Sequence, residues 1–193
     1  MKFIKHALLS LGSLLLLTAV TGFVYPWIVT TAAWAAFPGK AGGSLVRING
    51  DIRGSILIAQ KFTGNHYFWS RPSAGDFATV ASSASNLGPA SAALAKAIQD
   101  RRDSLTKAHN GVPPVDMVTG SASGLDPEIS PEAAEYQINR IALARKLNQS
   151  QTDDLRELVK SSVEEPTFGF LGEARVNVLR LNLALDEKYP AQK

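Results

Sequence analysis

From Ala7 to Gly39 the chain carries no Asp, Glu, Lys, Arg or His, and the run from Leu8 through Leu14-Leu15-Leu16-Leu17 to Val29 is strongly apolar. A helix needs only about 20 such residues to cross the hydrocarbon core of a bilayer. This segment therefore sets the architecture: one spanning helix, then whatever the remainder folds into. A cleaved leader is the competing reading, because Lys2 and Lys5 make a basic start and Ala33-Trp34-Ala35 resembles a small-residue cleavage site. A leader's apolar region, however, is usually only about 7 to 15 residues long, and this one runs on through Phe23, Tyr25 and Trp27. Those rings, with Trp34, suit the aromatic belt where a helix leaves the bilayer, and Pro26 is placed to kink or end the helix there.

Cations set the orientation. Lys2 and Lys5 precede the span, and the nearest cations after it are Lys40 and Arg47. The short basic leader is the side that positive charge retains most effectively, so the amino terminus is expected in the cytoplasm and the main domain outside. The expected division is residues 1–36 as cytoplasmic terminus and transmembrane helix, 37–43 as a Gly-rich linker, and 44–193 as one extracytoplasmic domain of ordinary size. The net charge is only +3, with cations and anions interspersed, which argues against nucleic acid as a partner. The absence of cysteine removes disulfides, zinc ribbons and thiol nucleophiles together.

Within the domain, Ser44 to Ile48, the turn Asn49-Gly50-Asp51 and Gly54 to Gln60 read as a hairpin, Asn-Gly being the strongest short turn signal. The second strand is apolar in succession and is expected inside a sheet covered on both faces. Tyr67-Phe68-Trp69 reads as core, held extended before Pro72. A polar loop, Ser82 to Pro89, leads to a helix at Ala92 to Lys107, and Val112 to Thr119 reads as an extended entry to a short strand. Ser130-Pro131 begins an amphipathic helix with Ala134, Ile138, Ile141 and Arg145 on one face and Tyr136 and Leu143 beside it. A further helix is expected over Asp153 to Ser161, and Arg175 to Asp186, ambiguous between strand and helix, is read as a buried helix from its leucines. Several helices around a small sheet, with no βαβ rhythm, make an α+β domain.

The components of a catalytic site are missing. There is no phosphate-binding Gly-x-x-x-x-Gly-Lys-Ser/Thr loop, no dinucleotide Gly fingerprint and no paired His motif. His66 and His109 read as solvated loop residues, since neither has a second His at metal-ligand spacing; no metal site and no catalytic residue is expected. Two polar loops remain. Ser121-Ala122-Ser123-Gly124-Leu125-Asp126-Pro127 and Ser85-Asn86-Leu87-Gly88-Pro89 read first as turns built by Asn86, Asp126 and the glycines, and second as Ser and Gly amides able to hold an anion.

Several stretches together carry a resemblance. Gly54 to Gln60, Tyr67-Phe68-Trp69-Ser70-Arg71-Pro72-Ser73, Ser82 to Pro89, Ser123 to Pro131 and Phe170 to Val178, in this order and spacing, are similar to the C subunit of the bacterial Kdp potassium-transporting ATPase over nearly the whole length. Glu128 and Ala174 stand where that family pattern has His and Pro. The resemblance implies a non-catalytic accessory subunit of the cytoplasmic (inner) membrane, partnered by a potassium-channel-like subunit, a P-type ATPase subunit and a small peptide subunit. The aspartyl-phosphate motif Asp-Lys-Thr-Gly-Thr is absent from this chain. The family is described as a catalytic chaperone that raises the ATPase subunit's affinity for ATP. Ser121, Ser123, Gly124 and Gln137 resemble the Ser-Gly-Gly-Gln signature of ABC proteins and are the positions that this implies for nucleotide, while Arg71, Ser85, Asn86, Gly88 and Asp126 fall to structure or partner contact. ATP is cytoplasmic and the charge pattern puts the domain outside, so the alternative is a structural cap on the outer mouth of the channel-like subunit. The chain then has no cofactor of its own, and ATP enters only through the complex.

An anchor of this length is expected to be retained rather than cleaved. Mass spectrometry of the membrane-extracted protein is expected to find the mature start at or near Met1, and a start at Ala36 or Phe37 would contradict the single-pass reading.

Overall fold

The computed structural model describes residues 2–80, 82–109 and 111–190. It divides into two compact units that meet in sequence between Leu45 and Val46. In the first unit, α1 (Lys2–Ala19), one π-helical turn (Val20–Val24) and α2 (Tyr25–Ala36) follow one another. Together they make a 35-residue helix whose most apolar 18-residue window has mean hydropathy 2.1, with none of that window buried against protein. At about 1.5 Å per residue this is roughly 52 Å, more than the ~30 Å of hydrocarbon it has to cross. Pro26 does not end the helix. Having no N–H to donate, and with a ring that would meet the carbonyl one turn back, it sits in the first turn of α2, and the widened π turn before it relaxes the ordinary hydrogen-bond register. A single helical turn, α3 (Pro38–Ala41), lies within the Gly-rich segment.

The second unit is α+β, as expected. Strands β1 (Leu45–Ile48) and β2 (Asp51–Ser55) form the hairpin, turning at Asn49 and Gly50, both at positive φ. The expected strand Gly54 to Gln60 is not found: β2 ends at Ser55, before the apolar run Ile56 to Ala59, and lies in a two-stranded sheet. From Ile56 onward the backbone bonds elsewhere: the Ile56 carbonyl accepts from Asn177 Nδ2 at 2.9 Å and the Ala59 amide donates to Leu125 O at 2.9 Å. These bonds take the place of a strand ladder.

Next come α4 (Ala92–His109) and α5 (Val115–Val118), the latter a helical turn where an extended entry was expected. Asp116 in that turn accepts the Ser130 amide at 2.9 Å, tying it to the start of the following helix. β3 (Glu128–Ile129) leads into α6 (Pro131–Arg145), capped by Ser130 Oγ on the Ala133 amide. α7 (Gln149–Ser161) starts four residues before the expected Asp153, because Asn148 and Gln151 form a reciprocal capping box. β4 (Val163–Glu164) and β5 (Arg175–Asn177) complete an antiparallel sheet in the order β3-β5-β4. The Arg175–Asp186 segment is thus a short central strand before it is a helix, α8 (Val178–Lys188), and Asn177 is the helix cap that separates the two. The core of Phe68, Ile129, Ile138, Ile141, Leu155, Val176, Leu181 and Leu185 lies between α6, α7, α8 and the sheet. Leu143, expected at the edge of the buried face of α6, is exposed.

Tyr67-Phe68-Trp69 crosses this core without belonging to any strand, so its backbone groups need other partners. Asn182 supplies a pair, accepting the Phe68 amide at 2.8 Å and donating to the Phe68 carbonyl at 2.9 Å. Gln137 does the same for Trp69, at 2.8 and 3.2 Å. Arg140 donates to the carbonyls of Asn65 and Tyr67, and Arg145 to that of His66. Side chains of α6 and α8 therefore stand in for a neighbouring strand.

His109 is not a solvated loop residue. It is buried at the end of α4, stacked on Tyr136 at 4.5 Å and set edge-on to Trp69 at 5.7 Å. Its Nε2 accepts a hydrogen bond from Arg140 Nε at 3.2 Å, a geometry only the neutral imidazole permits. Burial, and then the adjacent Arg140 charge, pushes the His109 pKa down to about 4. Because this lies below the ordinary value near 6.5, the native state binds fewer protons than the unfolded chain between the two. The stabilisation is complete above about pH 6.5 and is lost as the pH falls toward 4, by up to about 3 kcal/mol. Urea unfolding of the detergent-solubilised protein across this window is expected to show that loss. The variant His109→Gln, which keeps an acceptor that does not titrate, is expected to flatten the curve; an unchanged slope would reject the assignment.

Candidate functional site

Arg71, Ser121, Ser123, Gly124 and Asp126 are brought together, and the loop geometry explains how. Ser121 is buried, and its amide donates to Pro72 O at 2.9 Å. Its hydroxyl accepts from the amides of Gly124 and Asp126 at 3.1 and 3.3 Å. Ser123 Oγ accepts from the Leu125 amide at 3.0 Å, and the Ser123 carbonyl takes a bond from Ser82 Oγ. Gly124 has φ +69, and a Cβ there would lie 2.7 Å from the Ser83 carbonyl oxygen, so only glycine fits where the 121–126 loop crosses the Ser82-Ser83 strand of chain. Arg71 Nη1 meets Asp126 Oδ2 at 3.0 Å in a half-buried pair, while Asp126 Oδ1 receives the Glu128 amide at 3.1 Å.

The amides of Ser121, Gly124, Leu125 and Asp126, which an anion would need, are thus turned onto the loop's own side chains and the Pro72 carbonyl. The nearest guanidinium, that of Arg71, is held by a carboxylate. Beside the loop runs a groove of about 620 Å³ whose lining includes Arg71, Asp116, Asp126, Glu128, Glu173 and Arg175. Arg175, in the centre of the sheet, bonds Glu128 at 3.0 Å and Glu164 at 3.2 Å across the two flanking strands. Its charge is balanced within the sheet.

Gln137 lies elsewhere. It is fully buried on α6, its Oε1 accepting from Trp69 N and Arg140 Nη2 and its Nε2 donating to the carbonyls of Trp69 and Ala133. Among the described residues no bond joins it to Ser121, Ser123 or Gly124. Ser85, Asn86 and Gly88 stay on an exposed stretch; Asn86 sits at φ 50, and the Gly88 carbonyl accepts the Ser91 amide in the turn that enters α4. Sequence reasoning missed Arg140, Asn182 and His109. One signal was available for Gln137: it follows Ala134 by three residues and precedes Ile138 by one, which puts a polar amide on the buried face.

The chain's similarities agree with this architecture. A family model described as "K+-transporting ATPase, c chain" matches residues 7–187. The chain is 49% identical over 184 residues to the potassium-transporting ATPase KdpC subunit of Herpetosiphon aurantiacus, covering 92% of this chain and 94% of that protein. It is 49% identical over 189 residues to the KdpC subunit of Sorangium cellulosum, covering 95% and 98%. Against the KdpC subunit of Methylorubrum extorquens it is 51% identical over 187 residues, covering 89% and 92%. With the family model spanning both the apolar helix and the α+β unit, the chain belongs to the family of K+-transporting ATPase c chains, the KdpC subunits, and so serves potassium import as an accessory subunit.

Proposed function

We propose that this chain supports the pump by docking on its partner subunits, as a cap and assembly module outside the cytoplasm, and that it neither forms a phosphoenzyme nor holds ATP. In this reading the apolar helix anchors the chain in the inner membrane with its amino terminus inside. The domain then meets the potassium-channel-like subunit, with the P-type ATPase subunit and a small peptide subunit completing the complex.

The observation that carries the reading is the engagement of Gln137. A direct catalytic-chaperone role, in which the chain raises ATP affinity by contacting nucleotide, needs Ser121, Ser123, Gly124 and Gln137 to converge on phosphate. Releasing the Gln137 amide would strand the buried N–H and C=O of Trp69, at about 1–3 kcal/mol each. A phosphate held by a few backbone amides without a free cation gains little, since those amides compete with water for a strongly hydrated polyanion. The cost exceeds the gain, and the balance favours a structural role for Gln137 and a partner-facing role for the domain.

Three measurements test this. The chain has no native cysteine, so Leu143→Cys, at an exposed position on α6, offers a single thiol. A membrane-impermeant maleimide is expected to label it in intact spheroplasts without lysis; labelling only after lysis would put the domain on the cytoplasmic side. Calorimetry on the purified chain is expected to find ATP binding no tighter than millimolar, and Ser123→Ala is expected to leave the pump's apparent ATP affinity within about threefold, or ~0.7 kcal/mol. Micromolar binding that Ser123→Ala abolishes would restore the direct chaperone mechanism.

A further inference from the structure

Between β4 and β5 the chain makes a tight excursion, Pro166 to Gly172, that carries apolar rings outward. The Thr167 and Leu171 backbones bond reciprocally at 3.0 Å, and the Gly169 amide donates to Pro166 O at 2.8 Å. Gly169 and Gly172 are at positive φ, and so is Phe168, at 57°. For a bulky aromatic this left-handed conformation is an outlier. The closed turn holds Phe168 84% exposed, Phe170 74% and Leu171 51%. Single exposed hydrophobic side chains are ordinary. Three apolar side chains displayed within four residues around one glycine, on a loop fixed by its own hydrogen bonds, form the kind of rigid anchor that dominates binding energy at protein interfaces.

Charge decides what such an anchor fits. Glu165 and Glu173 stand exposed at the two stems of the loop, and neither makes an ion pair among the described residues. Glu164, next to them, differs: it is bound by Arg175 at 3.2 Å and Arg180 at 2.9 Å. Two unpaired carboxylates flanking the apolar tip are repelled by a surface of anionic lipid. They complement a protein pocket that is apolar at its base and lined with Lys or Arg at its rim. Resting on the accessory-subunit reading above, we propose that Phe168, Phe170 and Leu171 insert into such a basic-rimmed apolar pocket on another subunit of the same pump, with Glu165 and Glu173 pairing at its edge. A tip-to-tip contact with a second copy of this chain is disfavoured, because it would set the Glu165 and Glu173 carboxylates of one copy against those of the other.

The test uses the complete complex, purified through a tag on the ATPase subunit. Phe170 is replaced by a photoreactive p-benzoylphenylalanine, a substitution at an exposed ring that the fold does not depend on. Irradiation is expected to give an adduct between this chain and another pump subunit, and Glu165→Lys with Glu173→Lys in the same chain is expected to cut its yield at least fivefold. Adducts only with lipid, only with a second copy, or none at all would overturn the proposal, as would a yield unaffected by charge reversal. If the unmodified chain itself failed to co-purify with the tagged subunit, the accessory-subunit reading would fall along with it; co-purification without the adduct sinks the anchor alone.

Discussion

Asn65 to Trp69 runs through the centre of the domain with no strand beside it, and four side chains satisfy its backbone. Asn182 and Gln137 each present an amide in the register of a peptide group, donor to carbonyl and acceptor to N–H, while Arg140 and Arg145 take the carbonyls between. A buried peptide group left unpaired costs about 1–3 kcal/mol, so removing this set would exceed the whole stability of many domains of this size. Much else depends on it. Phe68 enters the core only because its backbone is satisfied there, Arg140 stacks on the Trp69 ring at 3.7 Å, and Arg145 bridges from the His66 carbonyl to Asp186 on α8.

The same interaction constrains function. In the structure the Gln137 amide is committed to the backbone of Trp69 and to Arg140. Among the positions that the family resemblance implies for nucleotide, Gln137 is placed in the interior, and Ser121 and Gly124 hold a loop closed on itself. What the domain offers outward is an ion-paired sheet edge, an exposed Ser and Asn loop before α4, and a rigid aromatic tip. The proposed docking role rests on these outward features.

Legibility in the sequence followed the range of the interactions. The apolar helix was readable because its signal is local and cumulative, and the Ser130-Pro131 start of α6 because a cap is decided within four residues. The Asn148–Gln151 capping box was equally local and would have set the start of α7 correctly. β2 was overextended because consecutive apolar residues from Ile56 onward look like a covered strand, whereas their hydrogen bonds go to Asn177 and Leu125, more than sixty residues away. Arg175 to Asn177 was absorbed into the helix that follows because a three-residue central strand has no periodicity to detect. The meeting of Arg71 with Asp126, like the burial of His109, is set by tertiary packing, which no local pattern in the sequence reports.

Native-state hydrogen exchange at the Phe68 and Trp69 amides, followed in the full-length protein with and without saturating ATP, tests the central claim most directly. If Asn182 and Gln137 hold the strap as a surrogate strand, both amides exchange only through global unfolding and at a rate indifferent to ATP. Fast exchange at either amide, or protection of Trp69 that changes when ATP is added, would contradict the account by showing that the Gln137 amide is free to leave its backbone partner for a nucleotide.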